Sequence, residues 1–184
     1  MIKKKVQELN RFHLAEGFRG RSSFSVQLWW ICQSTLFGCS PQFMYKWRVF
    51  LLRSFGARIG SNVLVRPTAR ITYPWKVSIG NNSWIGDDSV IYSLGEIDIG
   101  NDVVISQRSY ICSATHDYNE ISFDMIQKRI KIEDQCWLAT DVFVGPGVTI
   151  GEGAVIGARS SVFKDVSEYT VSRGSPCVVV SMRK

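Results

Sequence analysis

The 184-residue chain predicts an all-β fold, a single-stranded parallel β-helix with a short helical segment in front of it. Two observations carry the prediction. Ile132, Leu138, Val144, Ile150, Ile156 and Val162 recur at every sixth residue without a slip, a period that neither an α-helix nor a lone amphipathic strand produces. Small residues follow the aliphatic one at Ala139, Gly145, Gly151 and Gly157. This pattern fits a solenoid in which each flat face takes one six-residue stretch and three faces close a triangle. The aliphatic side chains then stack inside, and the small residue leaves room for a corner that a Cβ would crowd.

Composition bounds the rest. Hydrophobic residues make up 45% and charged residues 21%, ordinary values for one domain with one core. The five cysteines (Cys32, Cys39, Cys112, Cys136 and Cys177) are odd in number and lack metal-ligand spacing, as expected for reduced thiols in the cytoplasm. The basic start M-I-K-K-K has no apolar stretch behind it and does not read as a secretion signal. No apolar run approaches the roughly 20 residues that span a bilayer. A net charge of +6 suits an anionic ligand or a membrane surface. The basic residues are scattered and no nucleic-acid motif accompanies them, so nucleic acid is not expected as a partner.

Residues 1–56 read as an arm and two helices. The arm, to residue 23, is polar and loose, with room for a short helix near its start; His13 lies in it and reads as a surface residue. A first helix is expected over 25–37, stopped by Gly38. Ser40 and Pro41 then open a second as N-cap and first residue, ending near Gly56. Its apolar face would hold Phe43, Met44, Trp47, Phe50 and Leu51, away from Lys46, Arg48 and Arg53. The pair either packs on the β-helix or, through residues 25–55, contacts a membrane surface, where Trp and basic residues are favoured.

Residues 57–184 form the β-helix domain. Ile59, Val65, Ile71 and Val77 hold one register, Ile79, Ile85, Ile91 and Ile97 a second, and Ile99, Ile105 and Ile111 a third. Each shift by two is expected to be a small insertion at a corner, with Pro67 and Pro74 also at corners. Imperfect coils would precede better ones from about Val77. Residues 117–131 break the period and must leave the prism as a loop, the usual place for a site in a solenoid. After Asp165 a turn and one extended piece would cap the open end.

His116 stands at the junction of repeat and loop. Its ordinary pKa, near ~6.5, lets an imidazole take a proton at neutral pH, which makes it a candidate general base. Around it the chain resembles the hexapeptide-repeat acetyltransferases, in particular the maltose, galactoside and nodulation-factor branch. The resemblance is carried by Thr115-His116, Cys136-Trp137, P-G-V-T-I-G from Pro146, V-I-G-A-R-S-S-V-F-K-D from Val155 and R-G-S-P-C from Arg173. The segments G-F-R-G, V-Q-L-W-W, S-P-Q and I-T-Y-P-W-K extend it to the colanic acid biosynthesis acetyltransferase group over nearly the whole chain.

The resemblance implies a left-handed β-helix and a homotrimer with sites between subunits. It also implies direct transfer of acetyl from acetyl-CoA to a sugar hydroxyl, in colanic-acid-like exopolysaccharide synthesis, with no metal required. His116 would be the base, and a backbone N–H of an adjacent subunit would face the developing oxyanion. Trp137 matches a position near acceptor and pantetheine; Thr140, Gly157, Ala158 and Lys164 match the CoA groove, with Lys164 able to face a phosphate. Two departures stand out. Val178 and Ser181 occupy positions where arginines often meet the nucleotide phosphates, leaving Arg159, Arg173 or Arg183 as substitutes. The acceptor-side asparagine has no counterpart, and Asp87 or Asp88 could bond a sugar hydroxyl, orient His116, or be plain corner residues. The acceptor could be a free sugar, a sugar nucleotide or a lipid-linked sugar, the last placing the enzyme at the inner face of the membrane.

Rival readings are a non-catalytic trimeric scaffold and an acetyltransferase for serine or an amino sugar. A zinc carbonic anhydrase, which shares the fold class, needs three histidines, and the chain has two.

Overall fold

The computed structural model describes residues 5–184 and shows a parallel β-prism closed at its first end by helices. Face A stacks β1 (Arg58–Ile59), β4 (Val77–Ile79), β7 (Ile97–Ile99), β12 (Ile130–Ile132) and β15 (Thr149–Ile150). Face B stacks β2 (Leu64–Val65), β5 (Trp84–Ile85), β8 (Val104–Ile105), β13 (Trp137–Leu138), β16 (Val155–Ile156) and β18 (Thr170–Arg173). Face C stacks β3 (Arg70–Ile71), β6 (Val90–Tyr92), β9 (Tyr110–Cys112), β14 (Phe143–Val144) and β17 (Ser161–Val162). The remaining strands are β10 (Ala114–His116) and β11 (Met125–Gln127), an antiparallel hairpin, and β19 (Val178–Met182), antiparallel to β18.

The six-residue spacing becomes vertical stacking. Ile59, Ile79, Ile99, Ile132 and Ile150 pair in one column of face A, all pointing inward and buried. A Cβ on Gly80, just after such an isoleucine, would lie 2.5 Å from the Gly100 carbonyl carbon. The small residue is therefore required by the coil above. Asn62, Asn82 and Asp102 hold φ values of 55–58° two residues further on at the same corner, where Asn and Asp tolerate the left-handed region best.

The register shifts are insertions at a corner, as expected. Every face buries a second side chain two residues before the stacked one, Val77 before Ile79 just as Val148 before Ile150. Val148 follows Val144 by four positions, whereas Val77 follows Ile71 and Ile97 follows Ile91 by six, so the extra residues lie at the C–A corner, in the first coil around the 3-10 turn Pro74–Lys76. Parallel pairing runs from Arg58 onward, earlier than expected, with Pro67 in a turn.

The helices depart further from expectation. α1 spans Ser23–Cys32 and runs into a π-turn, Gln33–Phe37. α2 is Tyr45–Ser54 and starts four residues after Pro41. The Ser40 hydroxyl donates to the Phe37 carbonyl, ending the first helix instead of capping the second. The carbonyls of Pro41 and Gln42 are turned to the guanidinium of Arg48, which also bonds Ser40 Oγ and the Val65 carbonyl at 2.6–2.8 Å. Arg48 is fully buried, and α2 buries Val49, Leu51 and Leu52 beside it. Of the expected apolar face only Leu51 is buried; Phe43 and Phe50 are exposed. The buried helix residues join the prism interior in one cluster that includes Trp29, Leu52, Ile59 and Val65.

Three smaller corrections concern connections. The excluded segment starts before His116, which lies within the hairpin, and ends before Ile130, which begins β12. The tail adds β19 to face B with all five of its residues exposed, and so does not close over the interior. The arm is packed rather than loose: residues 8–20 bond the hairpin and the second coil, with a 3-10 turn at Leu9–Arg11. His13 is exposed, as expected.

Candidate active site

The hairpin leaves the prism at the corner between faces C and A and carries His116 in a partly buried position. Nδ1 of His116 lies 2.7 Å from the carbonyl oxygen of Phe123. A carbonyl only accepts, so in the neutral ring Nδ1 holds the hydrogen and Nε2 keeps its lone pair. No carboxylate orients the ring. Phe123 also stacks on it, with centroids 4.2 Å apart and planes 8° from parallel. Phe123 has φ of 55°, an unfavourable region for a bulky residue that surrounding structure must hold. Phe12 of the arm touches the imidazole as well, at 5.9 Å.

The arm reaches that point because it is clipped in two places. Glu8 N–H donates to the Ile121 carbonyl at 2.7 Å. At G-F-R-G, the Phe18 carbonyl accepts from Lys76 Nζ at 2.6 Å and Gln127 Nε2 at 3.0 Å, while the Arg19 carbonyl accepts from Trp75 Nε1 at 2.7 Å. Lys76 also donates to Leu94, lies over the rings of Phe18 and Tyr73, and has its pKa pushed down by burial. G-F-R-G and P-W-K are two halves of one joint.

The other candidates lie elsewhere on the chain. Trp137 points outward from face B, half exposed, with Nε1 donating to Ser106 Oγ at 3.1 Å. Ser106 belongs to a shallow concavity of about 680 Å³ lined also by Trp84, Asp87, Asp88, Arg66 and Arg108. Asp87 is paired there with Arg66 at 2.7 Å and with Thr68, which answers its role in this chain: it neither meets nor orients its own His116. Asp88 is an exposed corner residue with φ of 55°. Thr140 donates to the Gln107 carbonyl, and Ala158 stands exposed on the same B–C corner. Gly157 makes room for Arg173, since a Cβ there would lie 2.9 Å from Arg173 Cβ. Lys164 is exposed at the next corner, after β17. Arg183 is committed to the carbonyls of Gln135 and Gly153, whereas Arg159 is 81% exposed with only a 3.6 Å contact to Asp141.

One chain therefore separates its candidates into two groups, His116 and, two coils further on, Lys164 on the C–A corner, and the others along face B and the B–C corner. The two thiols flanking His116 in sequence are not poised as nucleophiles: burial pushes Cys136 up to about 11 and raises Cys112 as well. Among the described residues no three His, Cys, Asp or Glu side chains converge as a metal site needs.

Residues 129–164 match the family model "Bacterial transferase hexapeptide (six repeats)". The chain is 54% identical over 178 residues to "Putative colanic acid biosynthesis acetyltransferase WcaF" of Escherichia coli K12, spanning 97% of this chain and 98% of the relative. The chain belongs to the hexapeptide-repeat acetyltransferases. It is also 31% identical over 136 residues to the galactoside O-acetyltransferase of Escherichia coli K12, covering 72% of this chain and 67% of that one. In three dimensions it resembles a maltose O-acetyltransferase from Clostridium difficile 630, with TM-score 0.80, 27% identity, and 89% and 90% of the chains covered. A galactoside acetyltransferase in complex with coenzyme A gives TM-score 0.81, 25% identity, and 92% and 84% covered.

As a member of this family the chain is an acyltransferase on a left-handed β-helix, which sets the scaffold reading aside. The family model covers only the strict six-residue stretch; the earlier coils, with extra residues at the C–A corner, fall outside it. Phe12, Phe123, Ser106 and Arg66 were not singled out in the sequence. Phe123 gave no signal there, because its contact depends on a hairpin that has no period.

Proposed function

We propose that the chain transfers acetyl from acetyl-CoA to a sugar hydroxyl in exopolysaccharide synthesis, with His116 as general base. The observation that carries this reading is the fixed tautomer of His116, with Nε2 left to accept a proton. As the acceptor oxygen attacks the thioester carbonyl, Nε2 takes its hydrogen; the C–O bond forms, the C–S bond breaks, and the departing thiolate takes the proton back. Orientation and proton removal suffice, so no enzyme nucleophile enters.

Acetyl-CoA supplies the thioester. Face B fits such a ligand, since the exposed indoles of Trp84 and Trp137 give an apolar wall and Arg108 and Arg159 project from the adjoining corner. We read Trp137, Thr140, Ala158 and Lys164 as contacts for it and Asp87 or Asp88 as acceptor contacts.

We further read the active unit as a homotrimer. The outward rows of the three faces support this. Face A presents Arg58, Ser78, Asp98, Lys131 and Thr149, suited to water. Face B presents Leu64, Trp84, Val104, Trp137 and Val155, and face C presents Val90, Tyr110 and Phe143, with Phe163 against Phe143. Two apolar faces at an angle are what a three-membered ring of head-to-tail contacts covers. Such a contact would bring His116 of one chain to face B of the next. The cytoplasm, where acetyl-CoA is made, is the compartment we assign.

The test is thiol release from acetyl-CoA against a panel of free sugars, sugar nucleotides, lipid-linked sugars, an amino sugar and serine. His116→Ala should lower turnover by roughly 10²–10⁴-fold with the melting profile unchanged. Undiminished turnover would remove His116 as the base, and release driven only by serine or an amine would replace the sugar reading.

A further inference from the structure

Among the described residues the outer surface of the helical cap has no partner. On α1, Val26, Trp29 and Cys32 face inward. Half a turn away Phe24, Leu28 and Ile31 form a stripe at helical spacing, 76%, 46% and 61% exposed. The stripe continues to Leu36 on the π-turn, whose carbonyl accepts from the Trp47 indole at 2.9 Å. Trp47 in turn stacks on the exposed ring of Phe50, and Phe43 stands open on the preceding turn. No charged residue occurs from Ser22 to Tyr45.

The charge around this patch is largely basic, with Asp88 sharing one hollow at its edge with Trp30 and Arg70. The basic residues are spread along the sequence, yet Gly17 to Gly86 holds nine of them and no acidic residue. The remainder holds 13 Lys and Arg against 16 Asp and Glu. Lys46 and Arg70 are exposed and in no ion pair among the described residues, and Arg21 lies over the Trp75 ring.

An uncharged apolar centre with tryptophans beside it and mostly basic residues around it has the composition of a helix lying in a bilayer interface. A second copy of this chain is a poor occupant, because a two-fold contact would set like charges against each other. Among the described residues no helix is long and apolar enough to cross a membrane. We propose that residues 22–54 dock this protein on an anionic lipid surface, with the outer face of α1, the π-turn and α2 in the headgroup layer. The inner face of α1 packs against the base of the hairpin, Val26 clustering with Ala114 and Met125, and the docking stripe is on the opposite face of the helix. This inference does not depend on the acetyl-transfer reading.

The full-length chain is sedimented with vesicles of phosphatidylcholine containing about one third phosphatidylglycerol, and with phosphatidylcholine alone, at low and high salt. Binding to the anionic vesicles, weakened by salt, is expected. Leu28→Glu with Ile31→Glu should lower partition by roughly tenfold or more, and Lys46→Glu with Arg70→Glu by roughly tenfold, since each surface charge near anionic lipid counts measurably. All four side chains are exposed, so melting profiles should match the parent, and the second pair tests the idea if the first does not fold. Absence of binding to anionic vesicles, equal binding to both vesicle types, or undiminished binding by the charge-reversed pair would overturn the proposal. So would a lipid-free sedimentation mass that falls in the Leu28 and Ile31 variant, which would assign the face to a contact between copies.

Discussion

Asp134 accepts the main-chain N–H of Asn101 at 2.8 Å and its side-chain amide at 3.0 Å, and the side-chain bond, then the main-chain one, holds its carboxyl below the usual range. The same construction repeats below it, with Asn101 Oδ1 accepting from Asn81 and Asn81 Oδ1 from Ser61. A carboxyl with a depressed folded pKa contributes stability that is complete above its unfolded value, near ~3.9, and is lost as pH falls through the folded value. Melting temperature should therefore drop on the acid side of about pH 4, and Asp134→Asn should lower it at pH 7 and flatten that limb, the variant and the parent converging at low pH. Thermal melts from pH 7 to pH 2.5 measure both; an unaltered acid limb in the variant would assign the acid sensitivity to other carboxylates. Residues of this kind look alike in the sequence. Corner aspartates differ in what they do: Asp87 and Asp141 pair with arginines, Asp134 holds an asparagine amide and Asp88 stands exposed, and the neighbouring coil decides which.

At the scale of elements, the prism was legible and the cap was not, for physical reasons. Stacking forces an inward aliphatic residue at every sixth position, and that demand is written directly in Ile132 through Val162. The insertions at the C–A corner left a trace too, as the two-residue shifts at Val77/Ile79 and Ile97/Ile99, which already place them at a corner. The start of α2 was illegible because a buried Arg48 takes the carbonyls that a helix from Pro41 would have used itself. Burial of an arginine satisfied by four hydrogen bonds leaves no apolar signature. The joint between G-F-R-G and P-W-K is similar: its bonds go to main-chain carbonyls, which any sequence possesses. Lys76 is the charged member of that joint, and hydrogen bonds from charged donors are worth about 1.5–3 kcal/mol each. Lys76→Met should speed amide exchange in residues 8–21 by roughly ten- to a hundred-fold. It should lower acetyl transfer as Phe12 leaves His116, with Lys76→Arg recovering part of both. Exchange confined to its original rate would mean that Trp75 and Gln127 hold the arm unaided.

The whole molecule has a polar face and two apolar ones, and its candidate residues are divided between a corner and a different face. Each half of the division explains the other if the working site is completed by a neighbour: face B of one chain, with Trp137, then meets the corner that carries His116 in the next. This arrangement makes a prediction that a self-contained chain cannot satisfy. His116→Ala and Trp137→Ala should each be nearly inactive alone. When the two are unfolded together and refolded as a mixture, some interfaces pair an intact His116 from one variant with an intact Trp137 from the other. In a random equal mixture of a head-to-tail ring about a quarter of the sites are complete, so activity should return to roughly a quarter of the parent's. Mixing without subunit exchange should restore nothing, which separates reassembly from a trace of active contaminant. A refolded mixture no more active than its components, with a trimeric mass confirmed by light scattering, would place both residues in one chain's site or remove Trp137 from it.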